Sequence, residues 1–358
     1  MRTINSPCSP GYRPAHPCSI PFCVLVFHFY NGHLYLTAYH MGLLKKLRML
    51  RFVRVLVSLK HFFRLRRNAA LYRQMGIKKK VWEPISYETI KSHSETDLPW
   101  LDRPISLQDI KKSPAFDSFS AEIQAELLKW PERGCMILPR FFTREYIDSV
   151  EQSVEKGLSK KQRQKYLGDR LINLHTKNGV VDEIFRDDSL TNLLSFMLGK
   201  KALPFQTINF YRSSSQPAHS DAVHITTEPL GYSVGVWVAL EDIRKGSGEF
   251  FYYPGSHKLK YMMNADYKTN DQLPTPGKDL HEVYEEKIAQ VILEKDLLYE
   301  TYLPKKGDIL IWHTNLLHGS LPKKDVSLTR KSMVMHYFTE GVLCYHEMLE
   351  MPAVLSKN

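Results

Sequence analysis

Acidic residues are absent from the first 82 positions of this 358-residue chain, a stretch that holds 15 of its 49 lysines and arginines. From Glu83 onward 34 basic residues face 38 acidic ones, a net charge of −4, although the whole chain carries a formal +11. The basicity therefore belongs to an N-terminal arm, and a nucleic-acid-binding main domain is not expected. Cysteine is scarce: Cys8, Cys18, Cys23, Cys135 and Cys344 are odd in number and form no CxxC. A disulfide framework is therefore not expected, and a reducing, cytoplasmic setting is the default. Long apolar runs are missing too. Ile20 to Tyr30 is too short to span a bilayer, contains His28, and is followed by Asn31-Gly-His33 with no small-residue cleavage site. Residues 1–40 read as an extension upstream of Met41, dispensable for folding. There is no internal repeat.

What remains is ordinary globular material, 43% hydrophobic and 24% charged. Met41 to Lys80 mixes Leu, Val and Phe with Arg and Lys. On a helical wheel of Leu43 to Lys60 neither the apolar nor the basic set keeps to one face, so a solvated basic arm over 1–82 is expected, with peripheral contact to an anionic membrane as the alternative use. Residues 83–115, punctuated by Pro84, Pro99, Pro104 and Pro114, read as a linker or wrap. A domain over 116–358 follows. It opens with a helix over Phe116 to Trp130 ending before Pro131. A strand at Gly134 to Leu138 and a helix capped by Thr143, with Ile147, Val150, Val154 and Leu158 inward, come next. A further helix runs from Asp188-Ser189 to Gly199. Short strands are then predicted at Pro204 to Tyr211, Tyr232 to Leu240, Phe250 to Tyr253, Leu298 to Leu303, Asp308 to His313 and Lys331 to Phe338, separated by turns. The fold class is mainly β with flanking helices, a jelly roll. The stretch from Tyr261 to Leu297 reads as a lid or insert.

The chemistry-bearing pattern starts at His219-Ser220-Asp221, where alternate residues of an extended segment would aim an imidazole and a carboxylate at one metal. With fifteen histidines, roughly one such pair arises by chance; His93-Ser94-Glu95, in the polar linker, is such a decoy. Specificity comes from Gly307-Asp-Ile-Leu-Ile-Trp-His-Thr-Asn-Leu-Leu-His318-Gly-Ser320 and from Arg330, which opens an alternating strand. Two imidazoles and a carboxylate make a facial triad for Fe(II), and an Arg fork with a Ser hydroxyl suits the far carboxylate of a 2-oxo acid.

The stretch from Gly134 to Tyr337 resembles the phytanoyl-CoA dioxygenase family of non-haem iron oxygenases. The matching residues are Gly134 to Phe142 at the opening, His219 and Asp221, the strand Trp237 to Asp242, the Pro254 to His257 turn, and His318, Ser320 and Arg330. The resemblance implies a double-stranded β-helix core, iron held by His219, Asp221 and His318, and 2-oxoglutarate contacted by Trp237, Ser320 and Arg330, with Gln206 or Asn209 as further candidates. It implies use of O2 to hydroxylate an unactivated C–H bond of a small-molecule or acyl-CoA-like substrate. Because Asp221 fills the position that related halogenases leave to a small residue, hydroxylation is favoured over halogenation. His313, His224 and His257 compete less well for the metal. Only His318 precedes Gly-Ser at the right distance from Arg330, and His257 is better suited to ordering its turn. A non-catalytic jelly-roll binding module, or an adaptor acting through the basic arm, is the alternative function.

Overall fold

The computed structural model describes residues 29–30, 33–34, 51–90, 98–103, 107–168, 170–268 and 280–354. The chain divides into residues 1–47 and residues 48–358. In the first unit Phe29–Tyr30 pairs antiparallel with His33–Leu34; the sheets and helices below belong to the second.

Its strands are β1 (Cys135–Leu138), β2 (Arg170–Ile172), β3 (Ala202–Phe210), β4 (Thr226–Glu228), β5 (Ser233–Ala239), β6 (Phe250–Tyr252), β7 (Glu300–Tyr302), β8 (Ile309–His313), β9 (His318–Ser320), β10 (Ser332–Thr339), β11 (Leu343–His346) and β12 (Met351–Pro352). The major sheet runs β1-β8-β5-β10-β3-β2, and smaller sheets run β9-β6-β7 and β12-β11-β4. Every pairing is antiparallel. The sheets do not close, but the architecture is the expected jelly roll with flanking helices.

Side-chain alternation explains how the major sheet serves two masters. Val234, Val236 and Val238 of β5, Ile309 and Ile311 of β8, and Met333 and Met335 of β10 join one core with the helices. Each fully buried aliphatic side chain there is worth about 1.5–3 kcal/mol. Trp237, Leu310 and Trp312 turn the other way and pack on Phe250 and Tyr252 of the minor sheet. The site lies on this second face.

The helices that cover the first face are α2 (Ala121–Arg133), α3 (Arg144–Gly157), α4 (Gly179–Phe185) and α5 (Asp188–Leu198), counting α1 (Arg51–Lys60) before them. Thr143 caps α3 by accepting from the Tyr146 amide, and Ile147, Val150 and Val154 are buried, as expected. The first predicted helix needs correction. Phe116–Ser118 is a separate short turn, and α2 starts after the cap Ser120 and runs through Pro131 to Arg133. Proline costs one N–H bond there, but the helix ends two residues later. Gly134 closes it at φ 67° with its amide on the Trp130 carbonyl. A Cβ on Gly134 would also lie 2.3 Å from Nδ1 of His257, so both backbone and space demand glycine.

Within the second unit, described residues before position 116 are tied to the domain. Leu65, Tyr72, Val81, Ile85 and Ile90 form a cluster with Leu343 and Tyr345 of β11, and Leu101 and Ile110 enter the helix-side core. Within the 261–297 stretch, α6 (Leu280–Glu294) buries Leu280, Tyr284 and Ile288.

Candidate metal and cosubstrate site

Backbone register, not proximity in sequence, brings the candidate ligands together. His219 and His318 exchange two backbone hydrogen bonds, each 2.9 Å, in an isolated antiparallel bridge. A hydrogen-bonded pair projects its side chains to the same face, and the two imidazole rings lie 4.5 Å apart between centroids. The backbone differs from the extended reading at the third residue. Asp221 opens a short 3₁₀ turn, and Ser220 holds the corner by accepting from the Ala222 amide and donating to the Thr314 carbonyl. Tyr284 of α6 clamps the same residue, accepting from its amide at 2.9 Å.

The result is three buried groups with one ligand atom each inside a 4.8 Å span. Asp221 Oδ1 is 3.7 Å from His219 Nε2, and Oδ2 is 3.6 Å from His318 Nε2. The opposite ring nitrogens are engaged: Nδ1 of His219 contacts the Pro217 carbonyl and Nδ1 of His318 the Leu316 carbonyl, both at 2.9 Å. A carbonyl only accepts, so each Nδ1 carries the proton and each Nε2 lone pair is presented to the shared point. Burial drives His219 down to about 3 and lowers His318 as well, which keeps both neutral. Burial opposes ionisation of Asp221, but His318 and His336 beside it hold its pKa well below the usual carboxylate range. Neutral imidazoles and an ionised carboxylate are the protonation states a divalent ion requires, so the donor set fits Fe(II).

His336 and Trp312 are functional neighbours that the sequence reading passed over. His336 Nε2 reaches Asp221 Oδ2 at 3.1 Å, and Trp312 Nε1 donates to the same oxygen at 3.0 Å. Both stand opposite Gly235 across adjacent strands. A Cβ on Gly235 would fall 2.3 Å from the Trp312 ring, so the bare glycine makes room for the indole under the carboxylate. Period-two alternation from Arg330 would have put His336 on the site face; the cross-strand row could not be read without register. Two outcomes follow. His336→Ala is expected to weaken Fe(II) binding about 10- to 100-fold, measured by anaerobic titration; unchanged affinity would make His336 a packing residue. Gly235→Ala is expected to lower stability by about 1–3 kcal/mol in denaturant unfolding and to weaken iron binding with it, because the displaced indole leaves Asp221.

Next to the triad, Arg330 is 2% exposed and donates from Nη1 to Ser320 Oγ at 3.0 Å. Its guanidinium lies 5.9 Å from the Trp237 ring centroid. Burial pulls its pKa down to about 10, with Glu249 working in the opposite direction. Arg330 Nε and Trp237 Nε1 are both buried without a protein partner. Both residues line a pocket whose walls also include the triad, Ser320 and Phe250. Of the two further candidates, Gln206 lines the adjoining cavity. Asn209 pairs with Met333, whose side chain belongs to the helix side, and so lies across the sheet from the site.

The competing histidines go elsewhere. His313 points to the helix side, with Nε2 3.4 Å from Asp102 Oδ2. His257 is buried beside it, 5.6 Å between rings. His224 meets His281 at a tilt, 5.4 Å between rings, and His346 edge-on at 5.0 Å. These three line a second cavity of about 580 Å³ that shares His219, Asp221 and His336 with the first pocket. His219 and Asp221 thus face two spaces, one with the buried guanidinium and one with the imidazole cluster. His93 and Glu95 lie outside the described residues.

The family described as phytanoyl-CoA dioxygenase (PhyH) matches residues 117–327. Phytanoyl-CoA dioxygenase 1 of Oryza sativa subsp. japonica is 27% identical over 179 residues, 47% of this chain and 56% of that protein. The phytanoyl-CoA dioxygenase domain-containing protein 1 of Danio rerio is 33% identical over 106 residues, 28% of this chain and 32% of the relative. The chain thus spans about half or less of the length of these relatives. Among solved structures, the non-haem alpha ketoglutarate dependent carbocyclase SnoK from nogalamycin biosynthesis aligns with a TM-score of 0.51 at 13% identity, covering 68% of this chain and 95% of that one; at that identity the likeness speaks for the fold. With more than half of its length inside the family match, this chain belongs to the phytanoyl-CoA dioxygenase family.

Proposed function

We propose that the protein is an Fe(II)- and 2-oxoglutarate-dependent dioxygenase that hydroxylates an unactivated C–H bond of a small-molecule or acyl-type substrate. The observation that carries this reading is the convergence of His219, Asp221 and His318 beside a buried Arg330 whose nearest hydrogen-bonding partner is a serine rather than a carboxylate. In this reading the triad holds the iron, while Arg330 and Ser320 grip the far carboxylate of 2-oxoglutarate and Trp237 donates from its indole N–H. Iron, 2-oxoglutarate and O2 together supply the oxidising power, with succinate and carbon dioxide released. The chain's own part is geometric and electrostatic. His336 and Trp312 fix the carboxylate, Tyr284 fixes the turn that carries it, and Phe250, stacked at 5.4 Å on His318, helps to keep water out.

The substrate would occupy the larger cavity. Its walls combine apolar surface from Val53, Ile172, Phe205 and Met351 with the polar edges of His224, His281 and His346. Burial holds His346 down to about 4 and lowers His224 strongly, so the His224 and His346 rings act as neutral hydrogen-bonding groups. The reading is tested by anaerobic calorimetry of Fe(II) and then 2-oxoglutarate, followed by aerobic succinate release across a panel of acyl-CoAs and small metabolites. One Fe(II) per chain and 2-oxoglutarate binding that depends on it are expected; absence of stoichiometric iron would favour a non-catalytic jelly roll.

A further inference from the structure

Helix α1 has two apolar faces, and the cavity uses only one. Val53, Arg54 and Val57 line the cavity, and Arg54 is anchored there by hydrogen bonds to the Leu349 carbonyl at 2.8 Å and Glu350 at 2.9 Å. On the other side Phe52, Leu56 and Leu59 are 62%, 60% and 41% exposed, and Phe63, just past the helix, is 82% exposed. At about 100° per residue Phe52, Leu56 and Leu59 of the helix fall within about 60° of arc, and Phe63 follows after the break at His61. That is why a wheel shows no single apolar face: the hydrophobic residues serve two surfaces. The outer stripe is bordered by exposed Lys60, Arg66 and Arg67, in a segment with no acidic side chain before Glu83. Among the described residues no helix is long and apolar enough to cross a membrane. Large apolar side chains in register, with cations beside them and no anions, match the headgroup boundary of an anionic bilayer, where rings and leucines enter the acyl edge and guanidinium groups meet phosphates.

We propose that α1 and the turn after it form a docking surface for anionic lipid, seating the cavity's rim against the bilayer. Val57, in the cavity lining and 38% exposed, marks where the two faces meet. Given the oxygenase reading, on which this last step rests, the cavity would receive an amphiphile from the membrane without its crossing bulk water. The lipid contact itself does not need that reading.

The test is co-sedimentation of the full chain with vesicles of phosphatidylcholine alone or with added phosphatidylserine. Binding only to the phosphatidylserine vesicles, weakening with salt, is expected. The triple variant Phe52→Ser/Leu56→Ser/Phe63→Ser should lose at least about a hundredfold in partitioning. Arg66→Ala/Arg67→Ala should lose about thirtyfold. Both variants should retain Fe(II) and 2-oxoglutarate binding, which shows that they fold. A chain that stays in the supernatant with either vesicle, or a folded triple variant that sediments like the parent, would overturn the proposal and pass the stripe to a protein partner or to the chain's own residues. Asp221→Ala should sediment like the parent, so the two readings fail separately.

Discussion

Asp221→Ala is expected to abolish stoichiometric Fe(II) binding, with a loss well beyond the about 10- to 100-fold typical of groups behind the ligands. The carboxylate is the one anion inside the 4.8 Å cluster. It also gathers two hydrogen bonds, from His336 and Trp312, onto a single oxygen. Removing it subtracts one ligand and the charge that balances a dication. It also orphans an indole N–H and an imidazole in a site where all three neighbours are buried. The remaining imidazoles, held neutral by burial, are left as a two-ligand site. The measurement is anaerobic iron titration with unfolding curves on the same samples. An Asp221→Ala protein that binds one iron and turns over 2-oxoglutarate at the parental rate would contradict the ligand assignment. Asp221→Asn separates charge from hydrogen bonding: it preserves an acceptor for Trp312 but not the anion, so its iron affinity should fall almost as far while its stability stays nearer the parent.

The parts of this site that were legible in the sequence are those whose residue type is dictated by chemistry. A metal selects His and Asp, a dicarboxylate selects Arg, and the order His318, Ser320, Arg330 along the chain ties the arginine to its serine although the two sit on different elements. Period-two alternation gave the strands, because β5, β8 and β10 each carry one helix-facing and one site-facing row. What stayed hidden depends on register between strands. Nothing local marks Gly235 as the gap between Trp312 and His336, or His346 as a neighbour of His224, because those pairings are made by chain segments far apart. The short strands β2, β4, β9, β11 and β12, two to four residues each, were missed as well. The basic segment misled in another way. Its charge suggested a solvated arm, yet Leu65 and Tyr72 are anchored under β11, and burial of a few apolar side chains outweighs the solvation of neighbours that can point outward.

Arg330→Ala should separate cosubstrate binding from both iron binding and stability. The guanidinium is buried beside Ser320 and Trp237, with Glu249 as the charge nearby that favours its protonated form. In the free protein that burial is a cost, and it already lowers the group's pKa to about 10. Truncating a buried, incompletely paired charge relieves that cost, so the apo protein is expected to unfold at the same temperature or a higher one. The complex should respond in the opposite sense. Once a carboxylate is bound, the arginine becomes half of a desolvated, fork-shaped ion pair, and breaking such a pair costs about 3 kcal/mol, roughly a hundredfold in affinity. The expected result is a rise of about a hundredfold in the KM for 2-oxoglutarate, unchanged Fe(II) affinity, and loss of the thermal shift that 2-oxoglutarate gives the iron-loaded parent. Arg330→Lys should recover only part of this, because an ammonium keeps the charge but not the two parallel donors. If Arg330→Ala instead left 2-oxoglutarate affinity intact, the triad would serve a metalloenzyme that does without this cosubstrate. If it destabilised the apo protein by several kcal/mol, Arg330 would be a structural cation whose partner is the protein itself.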